Sequence, residues 1–175
     1  MKKIIILSMM LVFTLVLTSF ASDQWTVSSI SENEMTGEKA IYAFSPSVGS
    51  TKKMDFPYSN VKARLSVGYD GKKPWVYIGF TESPNLLNTT IKDGYNLIDT
   101  RIKWDDELKN VTLTQDWGSK FMHFKKDKII VDYIVKSDTV LLELEWYGSG
   151  TVYFRFPLNG SSKAINELYS VFENN

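Results

Sequence analysis

The sequence predicts a mainly β chain: a single antiparallel β-sandwich-like domain with one or two packed helices, including one at the C-terminus. Three observations predict it. Apolar and polar residues alternate with a period of two in several separate runs, and glycine-containing turns divide those runs. The connections are mostly short, which favours antiparallel pairing because parallel strands need long crossovers. Cysteine is absent from all 175 residues while aromatics make up 14%. Burial of rings, without a disulfide framework, must therefore hold the fold together.

At the N-terminus, Lys2 and Lys3 precede a largely apolar run over 4–17, and Ser19 and Ala21 put small residues in a small-x-small arrangement. The run is about fourteen residues, short of the roughly twenty that cross a bilayer. Ser22-Asp23-Gln24 supplies no stop-transfer charge cluster. The expectation is an export signal over 1–21, cleaved after Ala21, and one β-rich domain over 22–175, in the periplasm or outside the cell. No cysteine follows the signal for acylation, so a lipoprotein is excluded. Without Lys2 and Lys3, eighteen basic residues face twenty acidic ones, a net of about −2. That balance offers no basic field for nucleic acid or anionic lipid.

The elements follow in order. A strand is expected over 39–44, then a loop over 45–60 whose adjacent Lys52 and Lys53 sit in solvent. Val61, Ala63, Leu65, Val67 and Tyr69 alternate with Lys62, Arg64 and Ser66. Residues 74–80 return with Trp75, Tyr77 and Gly79 on one side and Val76, Ile78 and Phe80 on the other. Asp70-Gly71 between them suits a type I′ turn. Strands over 95–104 and 111–117 flank an acidic turn at Asp105, Asp106 and Glu107. A last hairpin joins Val140, Leu142, Leu144 and Trp146 to Val152, Phe154 and Phe156 through Gly148-Ser149-Gly150, with Glu143, Glu145 and Arg155 sharing its wet face. Residues 127–136 fit a helical face through Ile129, Ile130, Tyr133 and Ile134, while their β-branched content fits a strand; helix is preferred. The C-terminal helix begins where Ser161 or Ser162 can accept from first-turn amides, and Ala164, Ile165, Leu168 and Phe172 form its apolar stripe.

The inventory for catalysis is thin. His123 is the one histidine and sits between aromatic residues, no serine has a nucleophile-elbow context, and no paired histidines suggest a metal site. Asp105, Asp106 and Glu107 could in principle serve glycosidase chemistry or calcium, but three consecutive acids in a turn do not converge across a substrate, and EF-hand ligand spacing is missing. Five tryptophans, Trp25, Trp75, Trp104, Trp117 and Trp146, suggest either core packing or stacking on sugars. The sequons at Asn88, Asn110 and Asn159 report polar surface.

One ordered set of features carries a resemblance. Trp25 is followed by Ser28, Ser29, Ser31 and Met35-Thr36; then come the strand hairpin over 64–80, Arg101 leading into Asp105-Asp106, Trp117, and finally Phe154, Phe156, Leu158, Gly160, Ala164, Ile165 and Leu168. In this order the chain resembles the exported type VI secretion-associated proteins of the VasI or TagO type, over nearly the whole segment after the signal. Typical members carry a cysteine near the position of Tyr69 and another near the end of the last helix; this chain has neither, and it has an insertion around 45–59. The resemblance implies a periplasmic accessory or binding module and brings no catalytic residues with it.

The functional expectation is a non-catalytic binding or assembly module, without cofactor or metal, whose partner is another envelope or secreted protein. Its candidate binding residues are Arg101, Trp104, Asp105, Asp106 and Trp117. The alternative is a glycan or small-ligand binder using exposed tryptophans, and a third class is a hydrolase using the acidic turn. Trp104 and Trp117 together in a solvent groove favour the glycan; both buried favour a protein partner.

Overall fold

The computed structural model describes residues 24–173. The expected export signal over 1–21 lies outside them. Twelve strands and two helices follow in the order β1 (Thr26–Val27), β2 (Ser31–Glu32), β3 (Lys39–Phe44), β4 (Val48–Gly49), β5 (Lys62–Tyr69), β6 (Pro74–Phe80), β7 (Thr89–Lys92), β8 (Tyr95–Trp104), β9 (Glu107–Asp116), β10 (Phe121–Phe124), α1 (Asp127–Lys136), β11 (Thr139–Trp146), β12 (Gly150–Pro157) and α2 (Ser161–Glu173). The mainly β, antiparallel class and the C-terminal helix are as the sequence predicts.

The strands form one sheet in the order β1-β3-β5-β6-β10-β9-β8-β11-β12, with β2, β4 and β7 pairing off that path. The sandwich-like layering arises from this single sheet curling until its ends meet. β4 pairs with β5 through Val48–Ala63, Ser50 bridges Phe154 of β12, and the Thr51 amide donates to the Tyr153 carbonyl at 2.8 Å. The segment expected as an open loop over 45–60 is thus the seam of the curled sheet. Between β3 and β4 the register slips by one residue at a bulge. There the buried Ser45 hydroxyl accepts from the Leu65 amide and donates to the Pro46 carbonyl, replacing the lost ladder bonds. Lys52 and Lys53 lie exposed, as expected, and the Lys52 ammonium donates to the Ser149 carbonyl at 2.9 Å.

Strand alternation decides what fills the interior. Val140, Leu142, Leu144 and Trp146 face inward from β11, and Val152, Phe154 and Phe156 from β12, all nearly inaccessible to solvent. Leu65, Ile78, Leu113 and Met122 complete the opposing wall. α1 and α2 cover one end. Residues 127–136 resolve as helix because Ile130, Val131 and Ile134 find a buried face against the sheet and α2. Asp127 in its first turn accepts from the Val76 amide at 2.8 Å. The Ser161 hydroxyl, expected to cap α2, instead donates to the Ile134 carbonyl at 2.8 Å and ties the helices together.

The hairpin turns differ in one respect from expectation. Tyr69 pairs with Pro74, so the β5–β6 connection is the four-residue loop Asp70-Gly71-Lys72-Lys73, in which Gly71 alone has positive φ, and not a type I′ turn. The Asp70 carboxylate accepts from the amides of Lys72 and Lys73, and the Lys73 amide foremost holds its pKa below the usual carboxylate range. A side chain that organises the loop locally in this way competes with the tight turn.

Candidate functional site

The five residues singled out from the sequence do not converge. Trp104 is 2% exposed and stacks on Tyr133 of α1, with ring centroids 5.3 Å apart. Asp105 occupies the β8–β9 turn at φ 47°, where its carboxylate accepts from the Thr139 amide at 2.8 Å and the Asp138 amide at 3.1 Å. It clips the turn to the start of β11. Asp106 is fully exposed and pairs with Lys103 at 3.2 Å. Glu107, expected in the turn, begins β9 opposite Trp104. Arg101 forms a two-pronged pair with Glu143 on β11, at 2.7 and 2.6 Å. That pairing holds the Glu143 carboxyl below its ordinary range and raises the Arg101 guanidinium. Trp117 follows the far end of the ten-residue β9, roughly 33 Å from the acidic turn. The tryptophan test therefore divides: Trp104 is in the core and Trp117 is 83% exposed.

What the register does bring together is an aromatic wall on the outer face of β3, β5, β6 and β10. Three rows cross these strands. Tyr42 faces Gly68, which faces Trp75; Phe44 faces Ser66, then Tyr77, then His123; Arg64 faces Gly79, then Phe121. In each row a small residue lies between large ones. The indole of Trp75 lies so close over Gly68 that a Cβ there would come within 2.3 Å of it, and Phe121 covers Gly79 in the same way at 3.2 Å. The rings then meet edge to face: Tyr42 with Trp75 at 5.8 Å, Tyr42 with Tyr77 at 6.4 Å, and Tyr77 with Phe121 at 5.6 Å. The Arg64 guanidinium sits 5.7 Å from the Phe44 ring centre. His123 lies exposed beside Tyr77 at 5.7 Å. Burial pushes the Tyr77 phenol up.

The sequence pattern places Trp75, Tyr77 and Gly79 on one side of a strand but does not by itself mark the wall. The available signal was that both faces of 74–80 are apolar or aromatic, one more face than a single interior needs. Among the described residues, no group of three or more His, Cys, Asp and Glu is placed to hold a metal ion. Comparison with known proteins finds no matching family model, no similar curated protein and no similar solved structure.

Proposed function

We propose that this chain is an exported, non-catalytic binding module that recognises another envelope or secreted protein through its aromatic wall. The observation that carries the reading is the outer face itself: Tyr42, Phe44, Trp75, Tyr77 and Phe121 form a continuous ring network with Arg64 at its edge. Tryptophan, tyrosine and arginine are the side chains that concentrate binding energy at protein interfaces, and a contiguous apolar patch on a water-facing sheet marks an interaction surface. The rings are held by one another and by the glycines beneath them, so little side-chain entropy remains to be lost on binding. The motif order shared with the VasI or TagO type supports a role as accessory to a secretion or envelope apparatus, and the lysines and apolar run over 1–17 support export.

A photo-crosslinking residue in place of Phe44 tests this in envelope extract. The expected result is one protein adduct, abolished by Arg64→Glu and absent when the crosslinker replaces Ile91, which is 71% exposed on β7. An identical adduct pattern from both positions overturns the wall as the recognition surface.

A further inference from the structure

Next to the Phe121 end of the wall, Trp117 stands beside a cleft of about 410 Å³. That volume lies within the roughly 300–1,000 Å³ of ligand pockets. Tyr58, Asn85, Thr89, Asn96 and Gln115 line it, and no lysine, arginine, aspartate or glutamate is among its lining residues.

The floor is built rather than incidental. Gln115 is 3% exposed, and its amide nitrogen donates to the carbonyls of Ser119 at 2.8 Å and Pro84 at 3.5 Å. Those two bonds fix which way the amide points. The Ser83 hydroxyl donates to the same Ser119 carbonyl at 3.1 Å, sewing 83–85 to 117–119. Backbone bonds from Tyr147 to Asn85 and from Leu87 to Glu145 pin the other side of the cleft to the end of β11. Tyr58 rests edge-on against the buried Trp146 at 5.2 Å. Asn85, Asn96 and Tyr58 add two amides and a phenol to the lining.

We infer that this cleft binds a neutral saccharide, with Trp117 as the stacking platform and Gln115, Asn85 and Asn96 as the hydroxyl-reading groups. A pyranose ring has one C–H-rich face and a rim of hydroxyls, each both donor and acceptor. The exposed indole matches the first, and amides, which offer two donors and an acceptor, match the second. A charged ligand would desolvate its charge against a lining with no countercharge, which is unfavourable. None of the residues lining the cleft belongs to the aromatic wall, and the test separates the two.

The purified protein is titrated with soluble neutral glycans covering glucans, mannans and N-acetylhexosamine oligomers, reading tryptophan emission and retardation in glycan-containing gels. The expected result is saturable binding of at least one class, weakened tenfold or more by Trp117→Ala, largely restored by Trp117→Phe, lost in Asn96→Leu, and unchanged by Phe44→Ala. The thermal midpoint of Trp117→Ala should match wild type, since the indole is almost wholly exposed. Absence of binding across the glycan classes, or binding that Trp117→Ala leaves intact, overturns the inference. Preferential binding of an apolar peptide at Trp117 also overturns it.

Discussion

The aromatic wall and the Trp117 cleft both expose large rings, yet they are constructed differently. On the wall, Trp75 lies over Gly68 and Phe121 over Gly79, so each ring fills a gap in its own sheet as well as facing outward. At the cleft, nothing lies within 4 Å of a Cβ built on Gly118, and the neighbouring Trp117 is 83% exposed. The wall's rings contribute to stability and to surface at once, whereas Trp117 contributes almost only surface. Exposure of an aromatic residue therefore says little until its cross-strand partner is known.

Filling the gap under one wall ring should have the largest effect. Gly68→Val places atoms where Trp75 now lies and should cost about 3 kcal/mol by overpacking. Denaturant titration should show the loss, and tryptophan emission should shift as Trp75 swings into water. An unchanged midpoint would mean that Trp75 does not rest on the sheet. The two adjacent acids of the β8–β9 turn separate next. Asp105→Ala removes bonds to the amides of Asp138 and Thr139 and should cost about 1.5 kcal/mol, while Asp106→Ala, at a fully exposed carboxylate, should stay within about 0.5 kcal/mol. Equal midpoints for the pair would remove the structural role given to Asp105. At the cleft, Gly118→Ala meets no neighbour and strains only a backbone at φ 74°, so about 1 kcal/mol is expected. A cost matching that of Gly68→Val would erase the contrast between the two regions.

The smallest expected effect is on pH dependence. Arg101 lowers the folded-state pKa of Glu143, so the pair's contribution is present above the ordinary carboxylate range and is lost as pH falls through that lowered value. Arg101→Ala should therefore flatten the acid limb of the stability curve and leave its slope near neutral pH unchanged. A steeper acid limb in the variant would contradict the pairing.

Much of the scaffold was legible because alternation with one buried face fixes register. Val140 to Trp146 and Val152 to Phe156 are buried as their pattern requires, and Gly148 and Gly150 adopt positive φ in the turn between them. The seam was not legible, since β4 has only two residues, and Ser45, Pro46 and two lysines around it read as loop. The helix at α1 was ambiguous locally and was decided by tertiary burial of Ile130, Val131 and Ile134. The candidate site failed to converge for a geometric reason: Trp104 and Trp117 are at opposite ends of one hairpin, a separation that sequence proximity conceals. The wall was hidden because its small members, Ser66, Gly68 and Gly79, carry no binding signal of their own and matter only as neighbours of rings.

The central claim is that protein recognition resides on the wall and not at the hairpin's ends. Its most direct test is to measure the affinity of the crosslinked partner for purified wild type, Arg64→Glu and Trp117→Ala, with circular dichroism confirming that all three are folded. A tenfold or greater loss, about 1.4 kcal/mol, is expected for Arg64→Glu, and wild-type affinity for Trp117→Ala. Wild-type affinity in folded Arg64→Glu, with the loss appearing in Trp117→Ala, would contradict it.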